Sequence, residues 1–178
     1  VRNSRLMRAL RIALSLHPQC DLYMDEPLLD WRAVNDGEGQ AHLLHFMTRT
    51  QQIRGKQFVL CMGAWTTQFI HQQWQHTSHR THQRLPDVIP MKGQMIAVQA
   101  PPGLLPYPIV TAEGYLIPRI DGLILIGSTV ENCGYDKSLD HGVAERLYQW
   151  ACEWLPPLKH FAIAYHWAGL RPAAARPY

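Results

Sequence analysis

The amino-acid sequence predicts a mixed α/β and α+β chain. Three observations carry that expectation. Phe58, Val59, Leu60, Cys61 and Met62 form a continuous apolar run that ends at Gly63-Ala64, the pattern of a buried, parallel-type strand feeding a glycine turn. Residues 92–99 instead alternate, and residues 123–129 are entered through Asp121-Gly122, as the return strand of a hairpin is. Val143, Leu147, Trp150, Ala151 and Trp154 recur at the spacing of a helix lying on a sheet.

The elements follow in order. Residues 3–16 read as an amphipathic helix with Leu6, Leu10, Ala13 and Leu14 on one stripe, N-capped by Asn3 or Ser4 and stopped by His17-Pro18. Residues 21–34 are extended, interrupted by Pro27, and turn at residues 35–39 into a partner strand over 42–50. Gly55-Lys56 is a second turn before the 58–62 strand, and residues 66–75 form a helix. The polar stretch 72–83, rich in His and Gln, is a solvated connection and the best boundary candidate. After the 92–99 strand come a Pro-rich loop over 100–108, a short strand over 114–118 and its hairpin partner over 123–129. Pro156-Pro157 ends the helix of 143–155, and a last strand over 161–167 puts Phe161, Ile163, Tyr165 and Trp167 on one face.

Composition narrows the class. At 178 residues the chain is long enough to bury roughly 70% of its unfolded surface in a core without staples. Hydrophobic residues make up 47% and charged residues 17%, with the apolar runs broken every few positions, which argues against disorder and against a membrane span. The net charge of +3 is scattered apart from Arg2, Arg5, Arg8 and Arg11, so no nucleic-acid partner is expected. Cys20, Cys61, Cys133 and Cys152 are far apart and form no CxxC pair; no disulfide framework, no metal site and a cytoplasmic home are expected. His76, His79 and His82, with His71 nearby, lack acidic or Cys partners and read as a solvated loop rather than as metal ligands.

Chemistry concentrates elsewhere. No GxSxG elbow is present and no side chain is assigned as a nucleophile, acid or base. The turn at Gly63, Ala64 and Trp65 lets backbone approach a flat or phosphorylated ligand, or is an ordinary strand-to-helix turn. Arg171, in Trp167-Ala168-Gly169-Leu170-Arg171-Pro172, is either a bidentate partner for a carboxylate or a surface arginine at a strand end. Tyr115 is either a second donor to that carboxylate or a half-buried core tyrosine.

Taken in order, these segments resemble the glycine oxidases of thiamine biosynthesis, within the D-amino-acid-oxidase-like family of FAD flavoproteins. Four stretches carry the resemblance: residues 59–65; Pro90-Met91-Lys92-Gly93-Gln94-Met95; Gly114-Tyr115-Leu116-Ile117-Pro118-Arg119 with Ile126-Gly127-Ser128-Thr129-Val130-Glu131; and residues 167–172. The resemblance implies part of a doubly wound FAD-binding domain over residues 1–88 and 169–178, and over 89–168 a substrate domain with an antiparallel sheet capped by helices. It further implies that Arg171 and Tyr115 bind the substrate carboxylate, that Val130 lines the substrate cavity, and that Leu28, Gly63, Ala64 and Trp65 lie along FAD. The implied reaction is oxidation of glycine or another small amino acid to 2-oxo acid, ammonia and hydrogen peroxide; an amino-acid dehydrogenase, a secondary-amine demethylase and a flavin-free module are its rivals.

The GxGxxG fingerprint of the family is not found in the sequence, and neither is the family's closing segment at the flavin. Both ends read as cut. The chain as given is therefore expected to be an internal piece of a longer protein that neither holds FAD tightly nor turns over, with homo-oligomerisation left open.

Overall fold

The computed structural model describes residues 3–35, 41–55, 57–74 and 87–175. The chain divides into two compact units, Val1–Val59 and Leu60–Tyr178.

In the first unit, helix α1 (Asn3–Ser15) is followed by strands β1 (Asp30–Asn35), β2 (Ala41–Met47) and β3 (Gln52–Gly55), which form an antiparallel meander in the order β1-β2-β3. The β1–β2 pairing is the expected one, with Asp30 opposite Met47. β3 was not expected from the sequence. The Thr48 hydroxyl closes its turn, accepting from the Gln51 N–H at 3.1 Å. Phe46 is buried and its ring stacks on Phe58 at 3.9 Å. The turn expected over residues 36–39, and Lys56, lie outside the described residues.

The apolar run 58–62 is not a strand. No ladder partner lies beside it among the described residues, and Val59 is 85% exposed. Apolarity marks a segment suited to burial between neighbouring strands, but a strand exists only where such neighbours supply its hydrogen bonds.

The second unit opens with a 3-10 turn (Gly63–Trp65) and helix α2 (Thr66–Trp74). The histidine-rich stretch 75–86 lies outside the described residues. A five-stranded antiparallel sheet follows, built from β4 (Val88–Gln99), β5 (Ile109–Val110), β6 (Tyr115–Pro118), β7 (Leu123–Gly127) and β8 (Ile163–Ala174) in the order β5-β6-β7-β4-β8. The hairpin β6–β7 turns where Asp121-Gly122 predicts; Gly122 has φ +82°, which glycine adopts at little cost. Helix α3 (His141–Trp154) is N-capped by Asp140, whose side chain accepts from the Gly142 N–H at 2.8 Å. It lies on one sheet face, where Ile96, Val98, Leu116, Ile124 and Ile126 form the core with Ala144, Ala151 and Leu158.

Two strands outrun the expectation. β4 begins at Val88 and β8 runs through Arg171 and Pro172, pairing from Val88↔Ala174 to Val98↔Ile163. Prolines at both Pro90 and Pro172 are tolerated because they are opposite each other. Lys92 exchanges its backbone bonds with Glu131, so even-numbered β4 residues direct N–H away from β8 and no ladder bond is lost there. The β8 face pattern is also corrected. A bulge at Ala97/Val98 leaves one extra β8 residue, Ala164, so Ile163 packs on the core while Tyr165 (62% exposed) and Trp167 turn to the opposite face.

Ile96 sits at the centre of the core with no exposure. Ile96→Ala is expected to destabilise the folded protein by about 2 to 5 kcal/mol, read as a lower urea midpoint.

Candidate functional site

The sheet face away from α3 carries the polar groups of interest. Antiparallel register places Tyr115, Gly127, Met95 and Trp167 in one row across β6, β7, β4 and β8. The next row holds Gly93 and Gly169, and the one after it Met91 and Arg171. A second bulge brings in Val130: from Met95↔Gly127 to Lys92↔Glu131 the chain advances three residues on β4 and four on the other side, so Val130 falls opposite Gly93. Val130 is 68% exposed on this face.

Arg171 reaches back one row. Its Nη2 donates to the Thr129 carbonyl at 2.7 Å, and its Nη1 approaches the Ser128 hydroxyl at 3.5 Å. A Cβ on Gly93 would lie 2.8 Å from Nη2, so the missing side chain of Gly93 is the space the guanidinium occupies. Both neighbours are neutral, and among the described residues no carboxylate pairs with Arg171. A guanidinium has five N–H donors, so most of its donors and its whole charge remain for a ligand. The Tyr115 hydroxyl lies 3.6 Å from the Met95 sulfur, and Met95 folds over Gly127, whose Cβ would meet it at 2.7 Å. The hydroxyl and the guanidinium thus belong to adjacent rows, about 7 Å apart along the strands. Between and beside them the floor is glycine: nothing lies within 4 Å of where a Cβ on Gly169 would stand.

The structure brings Arg171, Tyr115 and Val130 onto one face. Gly63, Ala64 and Trp65 are in the same unit, in a turn that packs against β4 and β8. Gly63 has φ +55° with open space at its Cβ position, and Ala64 is buried. The Tyr135 hydroxyl donates to the Ala64 carbonyl at 3.2 Å, and its ring stacks on Trp65 at 5.9 Å. Leu28 is half-buried in the first unit, before β1. Sequence reading assigned no role to Gly93, Ser128, Thr129 or Met95; all four lie in stretches that carry the family resemblance, but the contact that defines each is made with a strand distant in sequence.

Beneath this face lies a buried polar set. Lys92 is 4% exposed and Gln94 fully buried, both on the α3 side. Lys92 Nζ lies 3.5 Å from both Glu131 Oε2 and Asp136 Oδ2. Burial opposes its charge, but the two carboxylates outweigh that and raise its pKa. Glu131 is lowered, first by the hydroxyl of Thr129 and then by Gln94 and Lys92. Gln94 Oε1 accepts from the Asp140 N–H at 3.0 Å and meets His166 Nε2 at 3.1 Å. Desolvation, and then the neighbouring His141, lower the His166 pKa against a smaller opposing pull from Asp140. Among the described residues no group of His, Cys, Asp and Glu could hold a metal, all four cysteines are free, and no helix is long and apolar enough to cross a membrane.

Comparison with known proteins agrees in scale and topology. The model of the FAD dependent oxidoreductase (DAO) family matches residues 1–178. Glycine oxidases of Pseudomonas aeruginosa and Pseudomonas putida are 36% and 33% identical to the chain over 174 residues, 98% of this chain and 44% of each relative. The chain therefore spans under half the length of these curated relatives. Among solved structures, glycine oxidase from Geobacillus kaustophilus superposes with TM-score 0.74 at 22% identity, over 89% of this chain and 40% of that one. Iminodiacetate oxidase from Chelativorans sp. BNC1 gives 0.71 at 22% identity, over 98% and 44%. At these identities the likeness shows the fold, which is the mixed class expected from the sequence.

His166 makes a pH prediction. Because folding lowers its pKa, the unfolded chain takes up the proton first as pH falls. The stability tied to neutral His166 is complete above the ordinary histidine value near 6.5 and is lost as pH drops through the lowered folded value. The thermal midpoint is expected to fall on acidification below about pH 6.5, and His166→Gln to flatten that slope, in a melt series from pH 8 to 5.

Proposed function

The chain belongs to the family of FAD dependent oxidoreductases, and from that membership we propose that the whole protein oxidises glycine or another small amino acid, consuming dioxygen and water and releasing 2-oxo acid, ammonia and hydrogen peroxide. The observation that carries this reading is the Arg171 guanidinium, held over Gly93 by neutral acceptors, one row from the Tyr115 hydroxyl.

Arg171 takes the substrate carboxylate with two parallel N–H donors, and Tyr115 adds a third hydrogen bond from the far side of the glycine floor. That floor suits a small amino acid, since Gly169 leaves open space beside the place that the guanidinium takes over Gly93. Val130 borders it. No acid or base is required of this face: a neutral amine needs its Cα–H aimed and water excluded, which a two-point hold on the carboxylate accomplishes.

FAD, when bound, supplies the acceptor for the hydride leaving that carbon. The fit of this chain to it rests on backbone left open in the same unit: the uncovered Gly63 at the 63–65 turn, which packs against β4 and β8, and the uncovered Gly169 on the sheet. Gly63, Ala64 and Trp65 would lie along the flavin and the backbone at Leu28 along its adenine end. On this reading residues 1–88 and 169–178 serve the FAD-binding domain and residues 89–168 the substrate-binding domain.

Glycine added anaerobically to the full-length protein is expected to bleach its flavin absorbance; bands that persist with glycine and with other small amino acids alike overturn the assignment. Arg171→Ala is expected to raise KM for glycine by about 2 to 4 kcal/mol in free energy, roughly 30- to 1000-fold. Gly93→Ala puts a methyl against the guanidinium and 3.1 Å from the Thr129 carbonyl, and so displaces Arg171; KM is expected to rise about 10- to 100-fold in steady-state assays, with the urea midpoint measured beside it as the check on folding.

A further inference from the structure

The backbone beside Arg171 departs from a regular ladder at one residue. In an antiparallel pair, hydrogen-bonded partners exchange N–H to carbonyl bonds in both directions. Lys92 and Glu131 do so, at 2.9 Å each way. At the next such pair the exchange is broken on one side. The Thr129 N–H donates to the Gln94 carbonyl at 3.2 Å, but the Gln94 N–H donates at 2.8 Å to the Thr129 hydroxyl instead of its carbonyl. That carbonyl accepts from Arg171 Nη2. The hydroxyl has taken the carbonyl's place in the ladder and released the carbonyl to the guanidinium.

The exchange has a polarity. A hydroxyl that accepts from an N–H must direct its own proton elsewhere, and here the Glu131 carboxylate receives it. Glu131 is itself fixed by Gln94 Nε2 at 3.0 Å and by Lys92. We propose that Thr129, with its proton directed by Glu131, is the positioning residue of the Arg171 clamp, and that the ligand it serves is the carboxylate of the amino-acid substrate. The inference rests on the clamp reading above. It explains how Arg171 is held without being neutralised: the carboxylate in this network faces Lys92 on the opposite side of the sheet, and among the described residues only a peptide carbonyl and a hydroxyl reach the guanidinium.

The test uses the full-length flavoprotein, with acetate as a carboxylate probe followed by calorimetry and glycine followed by steady-state kinetics. Thr129→Val keeps the shape and removes the hydroxyl, so the carbonyl is drawn back into the ladder. Acetate is expected to bind roughly tenfold more weakly, the size of one lost hydrogen bond to a charged group, with KM for glycine rising more than kcat falls. Thr129→Ser restores the hydroxyl and is expected to restore both. Should Thr129→Val fail to fold, Thr129→Ala carries the same expectation, since it too removes the hydroxyl that takes the Gln94 N–H. Arg171→Ala separates this inference from its premise. Acetate binding lost in Arg171→Ala but intact in Thr129→Val, or in Thr129→Ala where valine does not fold, or a loss that serine does not rescue, overturns the Thr129 assignment alone. Acetate binding intact in Arg171→Ala overturns the clamp and this assignment with it.

Discussion

Gln94 is the residue on which the second unit turns. It is fully buried on the strand face that also carries Lys92, Ile96 and Val98, and an amide there is tolerated only if its hydrogen-bonding groups find partners. Its Nε2 reaches Glu131, its Oε1 takes the Asp140 N–H and meets His166, and its backbone holds Thr129 in both directions. Residues 128–140 form no regular element beyond the single bridge at Glu131, yet both of their ends are fixed by this one side chain and the strand that carries it. The start of α3 is set at the same place, because the residue whose N–H Gln94 accepts is the helix N-cap. The core packing of α3 and the placement of Thr129 near Arg171 therefore share a single polar constraint.

The two bulges that flank β4 follow from what the sheet must do on its two faces. A strictly regular β8 would carry Ile163, Tyr165 and Trp167 on one side. The extra residue at Ala164 lets Ile163 complete the core while the two aromatics border the open face. The extra residue between Gly127 and Glu131 acts in the same way on the other flank, sending Glu131 to the buried side with Lys92 and leaving Val130 beside Gly93. In each case one inserted residue assigns neighbouring side chains to opposite jobs, which the alternation of a regular strand cannot do.

What was legible in the sequence was local. The β6–β7 hairpin is written in Asp121-Gly122; α3 is written in its apolar spacing and its stop at Pro156-Pro157; the β1–β2 pairing is written in the return of alternation after residue 41. What was not legible depended on distant partners. The run 58–62 is apolar enough for a buried strand, but ladder neighbours decide whether it becomes one. Gly93 looks like a strand glycine until Arg171 is placed over it, and Ala164 gives no sign of bulging. Arg171 and Tyr115 were reached through resemblance in order and spacing, and the register then placed both on one face by an independent route.

The way Arg171 is held bears on what it can hold. A guanidinium fixed by a protein carboxylate at about 4 Å would already have gained about 4 kcal/mol of attraction at an effective dielectric near 20, and a ligand carboxylate would have to compete with it. Neutral acceptors supply direction without that competition: the Thr129 carbonyl takes one N–H at 2.7 Å and leaves the charge intact. The carboxylate nearest in the network is committed elsewhere, with Lys92 raised and Glu131 lowered so that both stay charged and paired with each other. The buried lysine thus has a role beyond its own salt bridge. By engaging Glu131 on the α3 side of the sheet, it leaves the Arg171 guanidinium without a paired carboxylate among the described residues, the condition an anionic ligand of small size requires.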